Sequence, residues 1–266
     1  MNKLKYFIII FSLSLSIFYF GCESNDALPT GNLNQFRVTH KVLVEFFTNA
    51  GCIQCVNAHH YLDQITGLSG VTYNDTNVII ISTHTQYPSP ADSIYRANTV
   101  QSSARTTFYG INFTPQCRLN GTTMGQFSSD DWTSQINTGL ISQKYLNISM
   151  SNNFISSNDS GVVTANISVA SALPSASGNV LHVIITENDV SYVTAQNGIT
   201  HPNDVMRLMV TGNDGQAITL NSGQTNTVVT PYKLRSNWIT DNCYITVFIQ
   251  NTASKQVLGV ERIKVN

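Results

Sequence analysis

The sequence predicts a mixed architecture, an α/β layer followed by an all-β sandwich, and two observations carry that expectation. Between Lys41 and about Leu146, short apolar runs alternate with helix-like stretches, which argues for a sheet covered by helices. From Tyr145 onward the apolar period falls to two, in runs separated by turn-rich spacers. That pattern argues for a sandwich of about seven strands. The boundary falls near residue 145, giving a first domain over 41–146 and a second over 147–266.

The chain opens with Lys3 and Lys5, an apolar stretch from Tyr6 to Phe20, then Gly21-Cys22. A short charged region, a hydrophobic core and a small residue make a secretory signal, assigned to residues 1–21. The apolar run is shorter than the roughly 20 residues that span a bilayer as a helix. A cysteine directly after the small residue, followed by Glu23-Ser24-Asn25-Asp26, resembles a bacterial lipoprotein signal. That resemblance implies cleavage before Cys22 and acylation of its thiol, although Tyr19-Phe20 stand where such signals carry an aliphatic and then a small residue. Residues 22–40 read as a loose tether, and the expected location is the cell envelope, lipid-anchored at the outer membrane.

Within the first domain, Val42 to Phe47 reads as a buried strand, Val56 to Ile65 as a helix, and Asn77 to Thr83 as a second buried strand. Ser93 to Thr107 and Asp130 to Gln143 read as helices, the latter opened by Ser129 or Asp130 as N-cap. Between them Pro115 to Leu119 and Thr122 to Phe127 flank Asn120-Gly121, a hairpin signal. In the second domain the period-2 runs are Leu146-Ile148-Met150, Val163-Ala165-Ile167-Val169, Leu181-Val183-Ile185, and Tyr244 to Ile249.

Composition narrows the function. Fourteen Lys and Arg face fifteen Asp and Glu for a net charge of -1, with no basic patch, so nucleic acid is not an expected partner. If Cys22 is lipidated, Cys52, Cys55, Cys117 and Cys243 remain, an even count that permits two disulfides in an exported protein.

The chemistry concentrates at Cys52-Ile53-Gln54-Cys55, between the first strand and the first helix. Two cysteines at this spacing in a first helical turn are close enough to bond, and the helix N-terminus stabilises a thiolate. Cys52 would stand exposed at the helix start and attack a partner, and Cys55, one turn deeper, would resolve the mixed disulfide. A fixed structural disulfide and half of a zinc site are the other readings. No second Cys or His pair at finger spacing follows, so no metal site is assigned.

A strand, CxxC, helix, strand, helix, then Phe113-Thr114-Pro115 leading into an Asn-Gly hairpin and a last helix resembles a thioredoxin-like domain over about 41–146. The resemblance implies a cis Pro115 facing the CxxC, with Thr114 and Pro115 as the substrate-facing pair, and no organic cofactor. Glu45 lies in the first strand where that family keeps a buried acid that moves a proton to or from the deeper cysteine. A solvent-facing strand residue is its other reading. Ala50-Gly51 stand where the family has Trp before the first cysteine, and Val56 stands where it has Pro after the second. The direction of electron flow is therefore left open.

With a sandwich after it, the chain is similar to the outer membrane protein 28-related family, a thioredoxin fold followed by an immunoglobulin-like β-sandwich. The local matches are Glu45-Phe46-Phe47-Thr48, His201-Pro202-Asn203-Asp204-Val205-Met206-Arg207, and Val247-Phe248-Ile249-Gln250 followed by Val257-Leu258.

Cys117 and Cys243 admit three readings: a disulfide between the domains, exchange of Cys117 with Cys52, or two buried thiols. His59 and His60 follow Cys55 and read as solvated helix histidines, with metal delivery as a lesser alternative, while His84 ends the second strand. The leading expectation is an envelope-anchored thiol-disulfide exchange protein acting on exported proteins. Its rival is a binding or structural lipoprotein whose CxxC is only a staple.

Overall fold

A computed structural model describes residues 41–65 and 77–266. The leader, the tether and Cys22 lie outside the described residues. β1 (Val42–Thr48) and β2 (Val78–His84) are continuous apolar runs buried along their whole length. They pair in parallel from Val42↔Val78 to Thr48↔His84, joined by a crossover that contains α1 (Cys55–Gln64). Strands covered on both faces need no alternation, which is why these two read as unbroken hydrophobic runs.

One expected helix becomes two. α2 (Ser93–Ala97) and α3 (Thr99–Tyr109) are separated by Asn98, whose φ of -143° and ψ of 41° leave the helical region. α3 stops at Gly110, a left-handed C-cap. β3 (Gln116–Leu119) and β4 (Thr122–Thr123) form the Asn120-Gly121 hairpin, with both turn residues at positive φ. Gly121 is required there twice over, because a Cβ would lie 1.8 Å from the Lys255 carbonyl oxygen. α4 (Ser129–Leu140) is capped one residue earlier than expected, by Ser128, whose Oγ accepts from the Asp131 N–H at 3.3 Å.

The later strands are β5 (Leu146–Ile155), β6 (Ser160–Val169), β7 (Asn179–Glu187), β8 (Val205–Met209), β9 (Gln216–Ala217), β10 (Thr225–Lys233), β11 (Cys243–Asn251) and β12 (Val257–Lys264). Among the described residues they divide between two sheets. β10-β6-β5 make a three-stranded sheet, while β12-β11-β7-β8 join β2-β1-β3-β4 in one nine-stranded sheet with β9 on the edge of β7. The joint is short: Ser82 pairs in parallel with Val205, and the Ser82 N–H donates to the Asp204 carbonyl at 2.7 Å. The large sheet thus continues past residue 146, giving a mixed α/β protein with few helices.

Among the described residues the apolar core falls into four clusters, the smallest being Phe47, Tyr109 and Ile111 beside α3, and the other three follow from this layering. Val42, Val44 and Phe46 pack with Cys52, Cys55, α1 and Trp132 of α4 on one face. On the other face Leu43, Ile79 and Ile81 meet Ile184, Met206, Met209 and Phe248 from the later strands. The third fills the space between the two sheets, with Ile167 and Ala165 opposite Val183, Ile185, Ile245 and Val247.

Candidate functional site

Cys52 and Cys55 are joined by a disulfide, with Cα atoms 5.3 Å apart. Cys52 is only 4% exposed and Cys55 is fully buried, so the expectation that Cys52 would stand out from the helix start is corrected. The reason is local packing: Cys52 and Cys55 both belong to the core cluster below β1, while Ile53 and Gln54 between them stay exposed. α1 has no side-chain cap on Gln54 and no acidic residue in its first turn, which leaves its positive end available to a thiolate.

The turn before Cys52 is held from three directions. Asn49 Oδ1 accepts from the Gly51 N–H at 2.7 Å, and Asn49 Nδ2 donates to the carbonyls of Thr85 and Ser89. Asp92 Oδ2 accepts from the Ala50 N–H at 2.7 Å, while its Oδ1 caps α2 by accepting from Ile94 and Tyr95. Asn197, from the connection between β7 and β8, donates its N–H to the Ala50 carbonyl at 2.8 Å.

Cys52 opens on a cleft of about 400 Å³. One wall is Gly51 to Gln54; the others are Tyr87-Pro88 and Asn112 to Thr114. No lining residue is charged, and Ile53 and Phe113 are well exposed at its margin. The Thr114-Pro115 bond is cis, as is Tyr87-Pro88, and the Thr114 hydroxyl ties the two loops by donating to the Tyr87 carbonyl at 3.0 Å. Thr114 therefore lies in the same cleft as Cys52, whereas Pro115 is not among the residues that line it.

Glu45 is not where a partner for Cys55 would have to be. Side chains alternate along β1, so Val44 and Phe46 face the disulfide while Glu45 turns to the opposite layer. There it is buried against α3: Arg105 Nη2 donates to both carboxylate oxygens at 2.6 and 2.7 Å, Nε adds a third bond, and the Tyr109 hydroxyl donates at 2.6 Å. Arg105 also donates to Gln250 Oε1 of β11 at 3.0 Å, so this network is a structural tie. Arg105 could have been noticed in the sequence, as the lone charge between Arg96 and Arg118, just as Glu45 is the lone one between Lys41 and Asp63.

His59 is also corrected: it is buried, not solvated, with its Nε2 2.9 Å from Thr48 Oγ1 and its ring edge-on to Phe46. Burial first, then the neighbouring His84 and His60, push its pKa down to about 3 against a smaller opposing pull from Asp92. His60 is exposed. His84 Nδ1 sits 2.7 Å from Asp92 Oδ2, and its Nε2 is buried without a hydrogen-bond partner among the described residues. Burial works to raise the Asp92 pKa, but the hydrogen bond and charge of His84 and two backbone N–H donors outweigh it, and the net shift is downward.

Cys117 and Cys243 are free thiols, so the disulfide between the two halves does not form. They lie in different cores, Cys117 under β1 and Cys243 between the two sheets, with the large sheet's own strands intervening. Both are fully buried, and burial pushes both thiols well up, Cys243 to about 12, which disfavours the thiolate at either position. Among the described residues no group of three or more His, Cys, Asp or Glu side chains could hold a metal ion, and no helix is long and apolar enough to cross a membrane.

Against known proteins, a family model described as outer membrane protein Omp28 matches residues 102–266. The chain belongs to the Omp28 family. The match begins inside α3, so it covers Thr114, Pro115 and Asn197 and leaves the CxxC outside. Family membership places this Omp28 protein at the outer membrane. Its fold is similar to that of HBP35 of Porphyromonas gingivalis, with a TM-score of 0.72 over 85% of this chain and 75% of that one, at 14% identity. A domain of the outer membrane lipoprotein Omp28 from Porphyromonas gingivalis aligns over 46% of this chain and 89% of that one, with 17% identity and a TM-score of 0.34. No curated protein matches the chain.

Proposed function

We propose that this Omp28-family protein exchanges disulfides with exported proteins through Cys52 and Cys55, held at the outer membrane by an acylated Cys22. The observation that carries the reading is the uncharged cleft that brings Cys52 together with Thr114, Tyr87 and Phe113. An extended peptide lying in it meets backbone groups on one side and a sulfur on the other, with Ile53 and Phe113 to receive apolar neighbours of its cysteine.

Support for a thioredoxin-like unit over 41–146 comes from strand order. β2-β1-β3-β4, with β1 and β2 parallel and β3 antiparallel, follows the order of that fold, and the CxxC opens the first crossover. Packing of β10-β6-β5 against β7 and β11 supports an immunoglobulin-like sandwich within 147–266.

In the exchange step, the Cys52 thiolate attacks a partner disulfide, forming a mixed disulfide and releasing the partner's thiolate, which takes up a proton. Cys55 loses its proton and attacks Cys52, closing the bond seen here and releasing the second partner thiol. Two electrons pass to the partner; the reverse sequence takes them from a partner dithiol.

The 4% exposure of Cys52 favours the rival reading of a structural staple. Capture separates the two. A Cys55→Ser protein incubated with an envelope extract is expected to accumulate mixed disulfides on Cys52 that a Cys52→Ser/Cys55→Ser protein does not, by non-reducing electrophoresis and mass mapping. Equal, near-zero capture by both would leave the staple.

A further inference from the structure

The connection between β7 and β8, residues 188–204, belongs to the later half of the chain yet closes on the turn that carries Cys52. Asn197 makes the contact: besides the N–H to the Ala50 carbonyl, its Nδ2 donates to the Asn49 carbonyl at 3.2 Å and reaches the Cys52 carbonyl at 3.5 Å. Its Oδ1 accepts from the Ile199 N–H at 3.1 Å, so the side chain is fixed by its own loop. A second anchor lies beside Asp92, where the Ser93 N–H donates to the Tyr192 hydroxyl at 2.9 Å. Packing agrees: a Cβ on Gly51 would come within 3.3 Å of Gln196 Oε1 and 3.1 Å of Asn49 Oδ1, so the loop takes the space beside a residue that has no side chain.

We propose that Asn197 is a positioning residue for Cys52, which makes the dithiol site a structure of both halves of the chain. This rests on the exchange function above. Three carbonyl oxygens, of Asn49, Ala50 and Cys52, lie on the turn that bears the attacking sulfur. Their partial negative charge opposes a thiolate, and an unheld turn would let the sulfur drift from the cleft. Amide donors on all three offset that charge and fix the turn, adding to the positive end of α1. The connection expected from a disulfide between the halves is thus supplied by hydrogen bonds to the redox turn itself.

The test is the pH profile of Cys52 alkylation by iodoacetamide in the reduced mature chain, followed by mass mapping. Asn197→Asp keeps the oxygen that accepts from Ile199 and replaces the donor with a negative oxygen facing two carbonyls. The expected result is an upward shift of the profile and an alkylation rate at pH 7 lower by about threefold or more. Asn203→Ala removes a tie of the same loop to Asp63, 3.0 Å, away from the sulfur, and should leave the profile at wild type. A folded Asn197→Asp protein with the wild-type profile overturns the proposal, as does an equal shift in Asn203→Ala. If Asn197→Asp does not fold, Asn197→Ala is read on the same profile, with the same direction expected. Failure of the exchange function would appear separately, as absence of capture by the Cys55→Ser protein.

Discussion

His59 shows how a single side chain near the disulfide sets a condition on the whole fold. Its folded pKa of about 3 lies below its ordinary 6.5, because burial and two neighbouring histidines disfavour the cation. The unfolded chain therefore binds the proton more readily between those values. Stability from neutral His59 is fully present above about pH 6.5 and drains as pH falls toward 3, at up to about 1.4 kcal/mol per pH unit. His182, lowered to about 3 by burial and then by Arg105, acts in the same direction. We expect urea unfolding midpoints to fall from pH 7 to pH 4.5, with a shallower fall in His59→Gln; parallel slopes for the two proteins would refute this account. From sequence, His59 looked like a solvated helix residue because α1 is short and polar on average, and its polar partner, Thr48 at the end of β1, comes within reach only when α1 packs back on that strand.

At the scale of elements, the Glu45–Arg105 pair joins β1 to α3, and Gln250 extends the tie to β11. Removing one partner of a buried ion pair strands the other charge, at a cost of about 3–5 kcal/mol. Glu45→Gln is accordingly expected to lower stability by that order in a denaturant titration while leaving the equilibrium of the Cys52–Cys55 pair with glutathione unchanged. A shifted redox equilibrium with unaltered stability would instead restore Glu45 to the dithiol site. The elements themselves were largely legible: β1, α1, β2, the Asn120-Gly121 hairpin and α4 appear within a few residues of where their periodicity puts them. Asn98 hid its break because asparagine is tolerated in a helix, and nothing in Ser93 to Thr107 marks where α2 ends. Strand alternation puts Glu45 on the face opposite Val44 and Phe46, but the sequence showed neither which face meets the CxxC nor that Glu45 is buried against Arg105, sixty residues away.

Across the whole molecule, the later strands extend the sheet that carries the CxxC, and the loop bearing Asn197 closes on the turn that carries Cys52. Period-2 patterning identifies strands but not the sheet they join. The joint at Ser82 and Val205 involves a single pair, which leaves no pattern in either segment. The candidate site could be singled out in sequence where its motifs are compact, at Cys52, Cys55 and Thr114, of which Cys52 and Thr114 line one cleft. It was illegible where it depends on chain reversal, at Asp92 and Asn197. The most direct test of the exchange function is the equilibrium redox potential of the Cys52/Cys55 pair in the purified mature chain, measured in a glutathione series with thiol alkylation. The account predicts a value between about -270 and -120 mV, the range of exchange proteins. A value below about -300 mV would mark a structural disulfide and contradict it.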